Sequence, residues 1–174
     1  ERFLELALYC RMNGKDISII TNGNAGKRND YASLVDMQAT RFQLPIHSSN
    51  PDEHDLMTGY EGSLKKSIAS IETILGLGGN VVPFIVITKV NHRTLGDTLA
   101  FCAEMGLKRI MLNRFNVGGK GIECAQNLWL SKSELRRVFR VASNSANELS
   151  LNLSSNVCSP VCVLNPDDFP HVTF

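Results

Sequence analysis

The stretch FQLPIHSSNPDEHDLMTGYEGS, residues 42–63, organises the interpretation of the whole chain. Residues 42–48 predict a β-strand, with Gln43, Pro45 and His47 on one face and Phe42, Leu44 and Ile46 on the other. A long polar connector is then predicted to lead to a helix beginning near Ser63. Strand-to-helix connectors are usually short, and long ones in alternating α/β proteins build sites at the carboxyl ends of strands. The stretch therefore predicts a functional site.

Helical and strand patterns alternate on both sides of this stretch. Strands are predicted at residues 16–21, 80–88, 109–115 and 149–153, and helices at 3–10, 31–39, 63–77, 94–105 and 131–142. Such alternation indicates βαβ units in a parallel sheet with right-handed crossovers. The strands are too few for a closed eight-stranded barrel. The predicted fold class is therefore α/β, as a partial barrel or an open doubly wound sheet.

Composition limits the classes of function. The 174 residues are 43% hydrophobic and 20% charged, with a formal net charge of +1. A bulk charge near zero does not favour nucleic acid or a membrane surface as a partner. No apolar run approaches the length of a membrane span. Five cysteines without a secretory signal favour a reducing cytoplasm. Because the chain opens in the middle of a helical pattern and without Met, we expect it to be a fragment.

Polar residues stand at the carboxyl ends of four predicted strands. They are Thr21-Asn22-Gly23, His47-Ser48-Ser49, Thr88-Lys89 and Asn113-Arg114. The ends of parallel strands meet at one edge of a sheet, so these residues predict a shared site. A guanidinium at the end of a buried strand needs a partner, which for Arg114 is either a carboxylate of the protein or an anionic group of a ligand.

Three further features are weaker indicators of chemistry. The segment NVGGKG, residues 116–121, lacks the Walker spacing and favours a turn over a phosphate site. Cys158 and Cys162 are separated as in half of a metal site, but Asn165 stands where a third cysteine would complete it. His54 and Asp55 are adjacent in the chain, which favours a role in the turn over an acid–base pair.

Several segments, in this order and at this spacing, resemble the later part of the radical S-adenosylmethionine (radical SAM) enzymes. They are ITNG at 20–23, FQLPIHSSNPDEHDLMTGYEGSLKKSIASI, VVPFIVITKVN, LAFCAEMGLKRIMLNRFNVGGKG and LSKSELRRVF. The resemblance is to members with a C-terminal SPASM or related auxiliary-cluster region. It implies a partial (β/α)6 barrel whose later two-thirds occupy residues 1–155, with residues 156–174 beginning the auxiliary region.

The resemblance also implies cofactors and partners. These are S-adenosylmethionine (SAM), a 4Fe–4S cluster held by a CxxxCxxC motif upstream of Glu1, a peptide or small-molecule substrate, and an electron donor such as flavodoxin or ferredoxin. The cluster would cleave SAM reductively to begin radical chemistry, with peptide or protein maturation as the favoured outcome. The cofactor-binding residues that it implies are Thr21, Asn22, Gln43, His47, Ser48, Asn113 and Arg114, and Cys162 would be a first auxiliary-cluster ligand.

The chain departs from the family at two positions. Many relatives have serine where this chain has Pro45, and a polar residue where it has Phe84. Two alternatives therefore stay open. One is another barrel enzyme that binds a substrate phosphate at Gly118–Gly121, and the other is a non-catalytic binding domain derived from the barrel. The chain itself is expected to be inactive, because it carries no CxxxCxxC motif.

Overall fold

Helices and strands alternate in the computed structural model, which describes residues 2–24, 26–156 and 159–174. The helices are α1 (Arg2–Met12), α2 (Arg28–Asp36), α3 (Pro51–Thr58), α4 (Ser63–Gly76), α5 (Leu95–Glu104), α6 (Ala125–Leu128) and α7 (Lys132–Glu148). The strands are β1 (Ser18–Ile20), β2 (Arg41–Gln43), β3 (Phe84–Ile87), β4 (Arg109–Arg114), β5 (Asn152–Ser154) and β6 (Val172–Thr173). Two 3-10 turns occupy Gly119–Ile122 and Pro166–Asp168.

All six strands are parallel and neighbour one another in chain order. β1 pairs with β2, and β3 to β6 form a continuous sheet. Parallel bridges from Phe42 to Val81 and from Pro45 to Phe84 join the two groups. Doubly wound sheets reverse their strand order at a switch point, whereas barrels keep it sequential. The predicted α/β class is confirmed, and the strand order favours the partial barrel over the open sheet.

The core lies between the outer face of the sheet and the helices. The extended chain continues past β2 to residue 48, and we term residues 41–48 the β2 segment. Phe42, Leu44 and Ile46 in this segment have no exposed surface, which confirms the face predicted for them. The outward residues of the other strands are buried in the same layer, and so are the inward residues of the long helices α4 and α7. Burial of this apolar layer is the main source of stability, at about 25 cal/mol for each Å² removed from water.

The connector after β2 is not the extended polar loop that was predicted. Residues 51–58 form α3, with Pro51 in its first turn. The side chain of Asn50 accepts a hydrogen bond from Asp52 N at 2.9 Å, and Gly59 ends the helix with a φ of 70°. Asparagine before proline and glycine after the last turn are ordinary helix boundaries. The prediction missed them because the segment lacks a continuous apolar stripe.

The end of the chain packs against the barrel. β6 pairs in parallel with β5, and Leu164 and Phe169 are each 1% exposed in the common core. The rings of Phe139 in α7 and Phe174 stack with their centroids 5.5 Å apart. No helix in the described ranges is long and apolar enough to span a membrane.

Two glycines near the end of α4 offer an opposite pair of stability predictions. A Cβ on Gly79 would lie 2.6 Å from Ile74 Cγ2 and 3.1 Å from Ile74 O, so Gly79→Ala should lower the free energy of unfolding by about 1–3 kcal/mol. A Cβ on Gly76 would meet no atom within 4 Å, so Gly76→Ala should raise it by up to about 1 kcal/mol. Urea unfolding of both variants measures the difference, and equal effects would contradict this packing.

Candidate functional site

Alternate residues of the sheet face away from the helices and form what we term the inner face. It consists of Ser18, Ile20, Arg41, Gln43, Pro45, His47, Val82, Phe84, Val86, Arg109, Met111, Asn113, Asn152, Ser154, Asn156 and Thr173. The inner face is mostly neutral, with four amide side chains on three of its strand segments. Met111 is central to it, because its sulfur lies 3.7 Å from Gln43 Nε2 and 3.4 Å from Asn156 Nδ2.

The carboxyl ends of four neighbouring strand segments, from β2 to β5, meet on this face and bring polar groups together. Val86 is the register partner of Asn113, and Val86 N donates to His47 Nδ1 at 3.3 Å. Asn156 N donates to Asn113 Oδ1 at 3.2 Å. His47, Val86, Asn113 and Asn156 thus form one row across the sheet, which we term the carboxyl row. Two of its polar members, His47 and Asn113, were predicted from the sequence.

The imidazole of His47 is held in a single tautomer. Because its Nδ1 accepts a backbone N–H, the proton of the neutral ring is on Nε2. The ring stacks on His54 at a centroid distance of 5.4 Å and packs edge-on against Phe84 at 5.6 Å. Burial and the neighbouring charge of His54 lower the pKa of His47 to about 4. His47 therefore presents a neutral N–H donor at neutral pH.

His54 fixes the position of the backbone at His47. It is fully buried in α3, and its Nδ1 accepts a hydrogen bond from His47 N at 3.0 Å. Its Nε2 has no hydrogen-bond partner among the described residues. Burial lowers the pKa of His54, partly opposed by the carboxylate of Asp55. His54 is thus a buried neutral side chain that orients the end of β2.

The carboxylate of Asp55 acts elsewhere, as a cap for α4. It accepts hydrogen bonds from Gly62 N at 2.5 Å, Ser63 Oγ at 2.7 Å and Leu64 N at 3.1 Å. The hydrogen bond from Ser63 is the main cause that lowers the pKa of Asp55. His54 therefore contacts the end of the β2 segment, whereas Asp55 contacts the start of α4. The sequence likewise favours a role in the turn over an acid–base pair for these two residues.

Asn91 joins the ends of β2 and β3 and was not identified from the sequence. Its Nδ2 donates to His47 O at 2.6 Å and to Val86 O at 2.9 Å. Its Oδ1 accepts from Thr88 N at 2.8 Å, and the residue is only 2% exposed. One side chain thereby satisfies three backbone groups where the strands separate. Its only signal in the sequence is an asparagine three residues after Thr88 at a strand end.

Ser48 belongs to a second structural network. It has no exposed surface, its Oγ donates to Glu53 Oε2 at 2.6 Å, and Asn50 N donates to that Oγ at 3.1 Å. Thr94 Oγ1 donates to the same carboxylate oxygen at 2.5 Å. The hydroxyl of Ser48 therefore links β2, α3 and the start of α5 and is turned away from the inner face.

Thr21 and Asn22 lie in the turn that follows β1. Thr21 Oγ1 accepts from Gly23 N at 3.2 Å, and Asn22 Oδ1 accepts from Asn24 N at 3.1 Å. The last bond between β1 and β2 runs from Thr21 N to Gln43 O at 3.0 Å. The next bond of a parallel ladder would require an N–H at position 45, which proline lacks. Because Pro45 cannot donate this bond, the ladder between β1 and β2 ends at Thr21.

Arg114 faces the helices and does not share the inner face with Asn113, because neighbouring residues of a strand point to opposite sides. Its Nε donates to Ser159 Oγ at 2.9 Å and its Nη1 to Phe115 O at 3.4 Å. It lines a largely apolar cavity of about 330 Å³ together with Trp129, Leu135 and other side chains. The structure thus separates Arg114 from the carboxyl row.

The cysteine tail and the glycine loop show no ligand arrangement in the described ranges. Cys162 is exposed, and its carbonyl oxygen accepts from Arg136 Nη2 at 3.3 Å. Within those ranges, no group of three His, Cys, Asp or Glu residues could hold a metal ion. Cys158 lies outside the described residues. Gly121 packs against Phe115, where a Cβ would lie 3.1 Å from the ring.

Comparisons by sequence give no match, either to a model of a known protein family or to a curated protein. Solved structures do match. SuiB from Streptococcus suis bound to S-adenosylmethionine has a TM-score of 0.75 at 16% identity, over 94% of this chain and 36% of that one. SuiB bound to its precursor peptide SuiA has a TM-score of 0.75 at 15% identity, over 92% of this chain and 36% of that one.

A third match comes from another organism. HydG, the FeFe-hydrogenase maturase from Carboxydothermus hydrogenoformans, has a TM-score of 0.71 at 10% identity, over 99% of this chain and 42% of that one. SuiB and HydG are radical SAM enzymes, a class with a partial TIM-barrel fold. This chain spans well under half the length of each. The likeness predicted from the sequence is therefore confirmed at the level of structure: the chain has the partial-barrel fold of the radical SAM enzymes.

Proposed function

We propose that this chain is the later part of a radical SAM enzyme and that its carboxyl row binds SAM. The observation that carries the proposal is the placement of the His47 N–H and the Asn113 and Asn156 amides in one row on the inner face. Ligands of barrels bind at the carboxyl ends of the strands, where these groups stand. The structure of SuiB with bound S-adenosylmethionine has the same fold and supports the assignment.

The chemistry of the carboxyl row suits the polar, uncharged parts of SAM. A neutral imidazole N–H and amide groups can donate to and accept from ribose hydroxyls and adenine nitrogens. Phe84 and Val86 supply apolar surface beside them. Gln43 lies deeper on the same face, and Thr21 and Asn22 lie in the turn beside Pro45. We propose His47, Asn113 and Asn156 as the principal contacts, with Gln43, Thr21 and Asn22 around them.

The 4Fe–4S cluster does not fit the described part of this chain, where no three-residue ligand group occurs. We propose that a CxxxCxxC motif upstream of Glu1 holds it. Such a cluster supplies the electron that cleaves SAM in this class of enzyme, while the protein binds and orients the reactants. An electron donor such as flavodoxin or ferredoxin, and an auxiliary cluster beginning at Cys162 within residues 156–174, complete the proposed enzyme.

A peptide is the substrate class that we propose. The support is the structure of SuiB bound to its precursor peptide SuiA, which has the same fold. The inner face agrees with this choice, because a groove of about 420 Å³ runs along it, with amide and hydroxyl side chains among its polar and apolar lining residues. Asparagine side chains carry the same donor and acceptor groups as a peptide backbone.

SAM titration of the ¹⁵N-labelled chain tests the cofactor site. We expect the backbone amide signals of His47, Val86, Asn113 and Asn156 to shift together, and a shift confined to other regions would contradict the site. The cluster requires a second experiment on the protein extended upstream of Glu1. Anaerobic reconstitution with iron and sulfide should give the brown absorption of a 4Fe–4S cluster. A colourless product would favour the non-catalytic binding domain.

Pro45→Ser tests the inner face of β2 separately. The substitution supplies an N–H for Thr21 O and a hydroxyl beside Phe84, so it should bind SAM at least as tightly as the original chain. The NMR titration described above measures both affinities. Ser133→Ala, an exposed change in the first turn of α7, is the control for the effect of substitution. A clear loss of affinity in Pro45→Ser would show that Pro45 itself shapes the site.

A further inference from the structure

The inner-face groove carries two arginines at the end opposite to the carboxyl row. Arg41 precedes Gln43 on β2, and Arg109 begins β4, so both guanidinium groups stand at the amino ends of their strands. Asn80 lies between them, with Nδ2 donating to Thr40 O at 2.8 Å and Oδ1 accepting from Arg109 Nη2 at 2.5 Å. Asn80 thus holds Arg109 toward the groove.

No carboxylate neutralises this pair within the part of the chain that the structure describes. Arg11 and Asp16 form the ion pair found there, and it lies outside the groove. The groove lining contains no aspartate or glutamate, and apart from the two arginines all of its side chains are neutral. Guanidinium groups that lie beside neutral amides and have no carboxylate partner favour a ligand that brings its own negative charge.

We infer that the groove selects a peptide with an acidic side chain, whose carboxylate contacts Arg41 and Arg109. This inference rests on the proposed function, because it identifies the kind of peptide that the site would take. The Asn152 amide and the Ser154 hydroxyl on the inner face offer partners to the peptide backbone. The acidic residue then fixes the position of the peptide at the amino end, and the carboxyl row is left for SAM.

Matched tripeptides test the inference with the full, ¹⁵N-labelled chain. The probes are acetyl-Gly-Asp-Gly-amide and acetyl-Gly-Asn-Gly-amide, which differ only in one charge. We expect the aspartate peptide to shift the signals of Asn80, Arg109 and Asn152 with an affinity roughly fivefold to tenfold higher than that of the asparagine peptide. The difference should shrink as salt is added, since both arginines are exposed.

Two double variants distinguish the effect of the groove arginines on peptide preference from the effect of the overall charge of the chain. Arg41→Gln with Arg109→Gln should abolish the preference for the aspartate peptide. Arg137→Gln with Arg140→Gln makes the same change in charge on the exposed surface of α7 and should leave the preference intact. Circular dichroism of both variants verifies that they are folded. Equal affinity for the two peptides, no shift with either, or loss of the preference in the α7 variant would each overturn the inference.

Two further measurements distinguish this inference from the proposed function on which it rests. Inorganic phosphate that displaces the aspartate peptide and binds the two arginines more tightly would assign the groove to a phosphate ligand and overturn the peptide assignment. SAM is titrated in parallel and monitored at the carboxyl row. If SAM shifts the signals of the carboxyl row but the two peptides bind equally, only the inference of an acidic peptide is overturned. If the aspartate peptide is preferred but SAM does not bind, the proposed cofactor site is contradicted.

Discussion

Replacement of Asn91 by aspartate is expected to lower the free energy of unfolding by about 3–5 kcal/mol, the largest effect of a single substitution in the site region. Asparagine donates two hydrogen bonds, to His47 O and Val86 O, and aspartate has no hydrogens with which to replace them. A carboxylate would instead face two carbonyl oxygens in a position that is 2% exposed. Urea unfolding at neutral pH, followed by circular dichroism, measures the loss.

Asn127→Asp is the matched control, because Asn127 is an exposed residue of α6. It should change stability by no more than about 0.5 kcal/mol. The Asn91 variant should also lose SAM binding, since the ends of β2 and β3 would no longer be joined and the carboxyl row depends on both. If the two variants unfold at the same urea concentration, the hydrogen bonds of Asn91 do not stabilise the contact between the ends of β2 and β3.

The stability of the chain should fall as the pH is lowered from about 6.5 to about 4, and His47 should be a main cause. The unfolded chain protonates His47 near its ordinary pKa of 6.5, whereas the folded chain does so only near 4. Between these values the unfolded state binds more protons, so protons favour unfolding. The stabilisation is complete above pH 6.5 and is lost towards pH 4, by on the order of 2–3 kcal/mol.

The comparison of His47→Gln with His171→Gln assigns this pH dependence. Glutamine can still accept the hydrogen bond from Val86 N but does not titrate. We therefore expect a flatter dependence of unfolding free energy on pH in His47→Gln. His171 is exposed near the end of the chain, and His171→Gln is the control for the replacement of a histidine by glutamine. An unchanged slope in His47→Gln would assign the effect to other groups, with His54 first among them because burial also lowers its pKa.

The sequence by itself determined the fold class and the orientation of β2. Apolar and polar side chains alternate in a strand with a period of two, so Phe42, Leu44 and Ile46 had to share the buried face. Alternating helices and strands then implied a parallel sheet. The same reasoning placed Gln43 and His47 together on the inner face, because they lie on the same side of one strand.

The pattern of single strands does not predict which residues of different elements come together. Asn113 and Arg114 are adjacent in the sequence, yet only Asn113 joins the carboxyl row, because the register of β4 decides which side of the sheet each faces. Asn91 and Asn156 appeared unremarkable in the sequence, since their importance comes from the backbone groups that other elements bring to them. Hydrogen bonds between residues distant in the chain exist only once packing has set their distances. The pattern of single strands is therefore local information, whereas the composition of the site is a property of the tertiary structure.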